Sequence, residues 1–104
     1  VIARFGNKWA LLVILVLSEN GPIRYNELGR KIPDISSRVL ATTLRTLEAD
    51  GLVSRAQYPE VPPRVEYSLT ETGKSLVPII LQLTDWAQKN MQTIRKHRES
   101  GIEN

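Results

Sequence analysis

Cysteine is absent from the 104-residue sequence. Without thiols, these residues can form no disulfide, no thiolate metal site and no cysteine redox switch, which is compatible with an intracellular protein. Long hydrophobic runs are missing as well: the longest, over 9–17, is too short to span a bilayer. No small-residue cleavage site follows that run, so we identify no secretory signal peptide.

The sequence also lacks the residue patterns that carry enzyme chemistry. His97 is the only histidine, and it lies in a basic cluster over 95–98, where no metal-binding or triad motif is recognisable. Glycine-rich phosphate-binding loops are absent. The scattered acids Glu48 and Asp50 are typical of charges at helix ends. We therefore predict a protein that is not an enzyme and has neither a cofactor nor a metal site.

Composition indicates one ordinary globular domain. Apolar residues make up 41% and charged residues 24% of the chain, and 104 residues provide for a single modest core. The net charge of +3 allows an acidic partner such as nucleic acid without identifying one. We therefore treat residues 1–104 as one domain. The evidence for a particular partner has to come from where the basic residues lie in the sequence.

Hydrophobic periodicity and breaker residues divide the chain into helices and one hairpin. Gly21-Pro22 and Pro33 separate the first three helices, a serine at 36 or 37 caps the third, and Gly51 ends it. Thr70 can cap the last helix, in which Pro78 predicts a kink or a late start. The predicted elements are helices over 7–18, 25–32 and 36–50, strands over 52–58 and 64–69, and a long helix from 70 to at least 90 and as far as 97.

This order predicts a mainly α fold with a small β-hairpin wing. Three helices followed by a hairpin form a winged helix-turn-helix core, which we place at about 6–70. The added C-terminal helix, at about 71–97, is predicted to serve in dimerisation.

The third helix has two different faces. Leu40, Leu44 and Leu47 fall on one side at helical spacing and are predicted to face the core. The opposite side is small, hydroxyl-bearing and basic, and such a surface can enter a major groove, where arginine pairs with guanine or phosphate. An ordinary solvated helix face is the alternative. The residues of the outward side are Arg38, Thr42, Arg45 and Ala49, with Ser37 and Ala41 at its edge.

The hairpin is stiff and basic. Three prolines lie in its tip, over 58–64, and Arg55 and Arg64 lie on its two strands. Such a wing can reach the DNA backbone or the adjacent minor groove. Arg64, nearer the tip, is the better candidate for a DNA contact, whereas Arg55 could instead pair with Glu66 across the strands.

The last helix carries an apolar stripe that is too long for a small domain to cover alone. A second copy of the chain, packed on this stripe together with the first helix, would cover it. The alternative is that the stripe folds back on the core of its own chain. The residues expected at a dimer contact are Trp9, Leu76, Ile80, Leu83, Trp86 and Ala87.

Distinctive residue strings occur at Gly6-Asn7-Lys8-Trp9, at 35–40 and 44–48 in the third helix, and at 58–70 in the hairpin. Together they resemble the HxlR-type regulators, within the wider MarR-like superfamily. The first string is similar to the start of the family's first helix, and the strings at 35–40 and 44–48 are similar to its recognition helix. The string over 58–70 is similar to the family's wing almost residue for residue, and 71–86 resembles the start of its dimerisation helix. The resemblance covers about 6–90.

The resemblance implies a homodimeric, cytoplasmic transcriptional regulator that binds a near-palindromic operator in duplex DNA. Many members have a cysteine just before the first helix, and residues 1–104 contain none. These residues therefore provide no thiol sensor, and whether a sensing cysteine lies in a segment ahead of them stays open. A small-molecule effector stays open, as does a second interpretation in which the winged helix is a protein–protein interaction module. The resemblance assigns DNA contacts to Ser36, Ser37, Arg38, Thr42 and Arg45 of the helix and to Arg64 of the wing.

Overall fold

A computed structural model describes the backbone of residues 7–103 and the side chains of residues 7–100. Gly6, the first residue of the family-like string, lies outside the described residues. The fold is mainly α with a small antiparallel wing, as predicted. Its elements are α1 (Lys8–Asn20), β1 (Ile23–Arg24), α2 (Tyr25–Lys31), α3 (Ser37–Ala49), β2 (Val53–Tyr58), β3 (Arg64–Leu69) and α4 (Glu71–Glu103).

Helix α1 is capped at both ends by residue types that commonly cap helices, asparagine at the start and glycine at the end. The Asn7 side chain accepts a hydrogen bond from the Trp9 backbone N–H at 2.9 Å, which satisfies one free donor of the first turn. Gly21 follows the helix with φ of 64°, and its N–H donates to the Leu17 carbonyl at 3.1 Å. One face of α1 is buried, whereas Leu12 on the other side is exposed. Helix α1 is therefore packed on the core along one face and open to solvent at Leu12.

Helices α2 and α3 form the helix-turn-helix. The turn between them contains Asp34 with φ of 66°, a left-handed conformation that aspartate tolerates better than most residues. Ser36 caps α3 by accepting the Val39 N–H at 3.1 Å. The predicted core face of α3 is confirmed, because its three leucines are at most 2% exposed: Leu40, Leu44 and Leu47.

Within residues 7–103 the sheet has three strands, whereas the sequence pattern predicts only two of them. The order is β1-β3-β2, and the short β1 pairs with β3 through Ile23 opposite Tyr67 and Arg24 opposite Glu66. Two residues are too few to show an alternating pattern, so β1 could be recognised only from its tertiary pairing. The base of the sheet joins the helical core through Ile23, Val53 and Leu69, all of which are buried.

Helix α4 begins directly after the wing, so the late start considered at Pro78 does not occur. The Thr70 hydroxyl accepts the Gly73 N–H at 3.0 Å and caps the first turn. Pro78 has no N–H to donate to the Lys74 carbonyl, but the helix continues through it to Glu103, past the predicted end. With 33 residues at about 1.5 Å each, α4 is roughly 50 Å long.

One junction ties the end of α3 to the start of α4. The Thr70 hydroxyl donates to the Gly51 carbonyl at 2.6 Å, and the Thr70 N–H donates to the Leu52 carbonyl at 3.1 Å. Gly73 packs so closely on Leu52 that a Cβ at this position would overlap the Leu52 carbonyl oxygen. The orientation of α4 relative to the helix-turn-helix therefore depends on a residue without a side chain.

Candidate nucleic-acid interface

The outward face of α3 is exposed and basic, as its sequence pattern predicts. Arg38, Thr42, Arg45 and Ala49 are all exposed. Within residues 7–100, neither arginine has an ion-pair partner, and the only side-chain bond on this face runs from Arg45 Nη2 to Thr42 Oγ1 at 3.5 Å. Both guanidinium groups are therefore available to an anionic partner.

The two serines at the start of α3 have bonding partners within the chain. Ser36 Oγ accepts the backbone N–H of Val39, while the Tyr25 hydroxyl lies 2.6 Å from the Ser37 carbonyl oxygen and 2.8 Å from Ser37 Oγ. Tyr25 thereby fixes the start of α3 against the start of α2. Both serines are exposed, so these contacts do not exclude a DNA contact from the same residues.

Replacing Ser36 with alanine should lower the free energy of unfolding by about 1 kcal/mol, because one N–H at the start of α3 loses its side-chain acceptor. Urea denaturation followed by circular dichroism measures this loss. Ser36→Asp, which keeps an acceptor oxygen, should restore most of it, and Ser54→Ala on an exposed strand position serves as the control. Equal stability of Ser36→Ala and the wild type would contradict the capping role.

Arg64 in the wing is surrounded by partners of its own hairpin. Its Nη2 lies 3.0 Å from Glu60 Oε2 and its Nε lies 3.8 Å from Glu66 Oε2. The guanidinium carbon lies 4.2 Å from the centre of the Tyr58 ring, and the side chain is 32% exposed. The arginine expected to contact DNA therefore makes two ion pairs and a cation–π contact within the wing.

Arg55 does not make the cross-strand pair with Glu66 that was the alternative to a DNA contact. The strand register places Arg55 opposite Tyr67 and Glu66 opposite Ala56, so the two charged side chains lie on different faces of the hairpin. Arg55 is exposed, and its Nη1 lies 3.5 Å from Gln57 Oε1.

The residues expected at a dimer contact divide into two groups. Ile80 is 4% exposed within the single chain, and Trp9 and Leu76 pack against the same core, so little of Ile80 is left for a second copy to cover. Leu83 and Trp86 are each 56% exposed, and Ala87 beside them is half-buried. The first turns of α4 thus fold back on their own core, whereas the later turns leave large apolar side chains in solvent.

No helix within residues 7–103 is both long enough and apolar enough to cross a membrane.

The chain is similar to known proteins over most of its length. The family model described as HxlR-like helix-turn-helix matches residues 4–95. An HTH-type transcriptional regulator of Halalkalibacterium halodurans is 47% identical over 89 residues, which cover 86% of this chain and 79% of the relative. The HTH-type transcriptional regulator YybR of Bacillus subtilis is 43% identical over 97 residues, which cover 93% and 77% of the two chains.

Solved structures of regulators have the same fold. The reduced form of the redox regulator HypR superimposes with a TM-score of 0.81 at 42% identity, covering 91% of this chain and 93% of that one. A regulator of the MarR family from Porphyromonas gingivalis gives a TM-score of 0.77 at 45% identity, covering 86% of each chain. Family model, sequence relatives and structural neighbours all agree, so this chain is a helix-turn-helix transcriptional regulator that belongs to the HxlR-like family.

Proposed function

We propose that the protein acts as a homodimer that binds duplex DNA at a near-palindromic operator. Helix α3 enters the major groove, and the wing lies along the neighbouring backbone. The observation that carries this proposal is the outward face of α3. There two arginines, which form no ion pair with any side chain of residues 7–100, lie beside small side chains.

The chemistry of this face suits DNA. Arg38 and Arg45 lie about two helical turns apart along one stripe, and each can donate two hydrogen bonds to a guanine edge or to a phosphate. Thr42 between them and Ala49 beyond them are short enough to allow the helix backbone to approach the bases. Ser36 and Ser37 at the start of α3 would contact phosphate at the groove edge.

The exposed apolar surface of α4 supports the dimer. Leu83 and Trp86 leave more than half of their side-chain surface in solvent, together with Ile79 at 60% exposure. A contiguous apolar patch of this kind marks a protein contact. A second copy offers the same patch in return, as a two-fold interface requires, and supplies a second α3 for a second half-site.

The outward stripe of α3 also distinguishes DNA from a protein partner. Its residues 38, 42, 45 and 49 include two cations and no carboxylate. A stripe whose charges are all positive favours a polyanion such as DNA, whereas a protein–protein contact typically has few charges at its centre.

Replacing Arg38 or Arg45 with alanine should weaken binding to a duplex enriched by the wild-type protein from a random library. We expect a loss of about 1–3 kcal/mol for an arginine that contacts a base. Fluorescence anisotropy measures it, and Arg95→Ala, which removes the same charge far along α4, is the matched control. Unchanged affinity in both α3 variants would contradict the assignment of α3 as the recognition helix.

A further inference from the structure

The two arginines of the wing lie on opposite faces of the hairpin. Side chains alternate along β2, so Arg55 shares its face with Val53, which is buried in the core together with Leu47 of α3. Arg64 lies opposite Tyr58 and therefore on the other face, as Glu66 does. Arg55 is thus on the side of the sheet where α3 packs, and Arg64 is on the side that faces away from it.

The charge of Arg64 is already compensated. Glu60 and Glu66 approach its guanidinium at 3.0 Å and 3.8 Å, so the three groups together carry a net charge of about −1. A phosphate that approached Arg64 would meet two carboxylates as well. The contacts instead join the tip of the hairpin, at Glu60, to strand β3.

Among the side chains of residues 7–100, none compensates the charge of Arg55 in this way. The side chain is exposed, its one polar contact is with the neutral amide of Gln57 at 3.5 Å, and no carboxylate pairs with it among the residues whose side chains are described. A contact at this distance is at the outer limit of a hydrogen bond, so it can be exchanged for a phosphate.

We propose that Arg55, not Arg64, is the wing cation that contacts DNA phosphate, and that Arg64 is a positioning residue that holds the wing tip to β3. This inference rests on the proposed DNA-binding function. It replaces the expectation, drawn from the sequence alone, that Arg64 makes the wing contact. The reason is that the arginine nearer the tip is the one whose charge the hairpin itself neutralises.

The test is the salt dependence of DNA binding. Each phosphate contact contributes about 0.9 to the slope of log affinity against log salt, whatever the base sequence. The probe is a fluorescein-labelled duplex of random sequence, bound by the full chain and followed by anisotropy over a series of salt concentrations. The variants are Arg55→Gln, Arg55→Lys and the double variant Arg64→Gln with Glu66→Gln, which leaves the net charge of the wing unchanged. Circular dichroism verifies that each variant is folded.

Arg55→Gln should make the plot of log affinity against log salt less steep, by about 0.9 for each wing that contacts DNA. Arg55→Lys should restore the wild-type steepness. The double variant should keep the wild-type slope, and any loss of affinity should be the same factor at every salt concentration, as expected when a positioning contact is lost.

A reduced slope for the double variant would overturn the assignment of Arg64, and an unchanged slope for Arg55→Gln would overturn that of Arg55. Either result would leave DNA binding itself intact. If the wild type failed to bind the duplex or bound without salt dependence, the proposed function would fail instead.

Discussion

Gly73→Ala should lower the free energy of unfolding by about 3 kcal/mol, although alanine is normally the better helix former. A Cβ on residue 73 would overlap the backbone carbonyl oxygen of Leu52 and would lie 3.2 Å from Leu69 Cδ2. Backbone atoms at the base of the wing cannot move aside as the end of a flexible side chain can. The start of α4 would therefore have to separate from the end of α3. Urea denaturation followed by circular dichroism measures the loss.

The matched control for this prediction is Gly29→Ala in α2. There the nearest atom to a new Cβ is Leu40 Cδ2 at 3.3 Å, which is the end of a flexible side chain. Helix propensity favours alanine over glycine by about 1 kcal/mol, so Gly29→Ala should stay within about 1 kcal/mol of the wild type. Equal effects of the two substitutions would show that the close packing at Gly73 does not determine stability.

Leu83→Lys should convert the proposed dimer to a monomer and weaken binding to a selected operator by at least about 100-fold. A lysine placed in an apolar contact loses hydration without gaining a partner, and a monomer binds only one half-site, without the benefit of linkage to a second. Because Leu83 is 56% exposed, its replacement costs the protomer core little. Sedimentation velocity measures the oligomeric state and anisotropy measures the affinity.

Gln92→Lys adds the same charge on the opposite side of the same helix. Nine residues separate positions 83 and 92, which is roughly 180° around the helix axis, and Gln92 is exposed. This variant should remain dimeric and bind DNA as well as the wild type. A dimeric Leu83→Lys protein would contradict the assignment of the exposed α4 face to the dimer contact.

Local signals in the sequence are sufficient to predict the order of the helices and the hairpin. Helix α3 has a serine cap, a leucine face and a glycine after its end, and each of these acts within a few residues of chain. The prolines of the wing and the alternation of residues 64–69 likewise define the hairpin without reference to the rest of the molecule. Local propensity and tertiary packing agree in these segments, so the pattern was enough.

The features that could not be predicted from the sequence depend on contacts between residues that are far apart along the chain. Strand β1 exists because two residues meet β3, and Ile80 is buried because α4 returns to its own core in its first turns. The environment of Arg64 depends on the register of the hairpin, which brings Glu60 and Glu66 to the same guanidinium. Periodicity identifies an apolar stripe or a basic residue, but it does not determine which atoms will cover it or neutralise it.

The most direct test of the proposed function is selection of duplex DNA from a random library by the 104-residue chain, followed by sequencing. If two copies of α3 read two half-sites, the enriched sequences should contain an inverted repeat whose half-site centres lie about 10 base pairs apart, or a multiple of that spacing. Recovery of sequences no different from the starting library, or of a single unrepeated element, would contradict the proposed dimeric recognition.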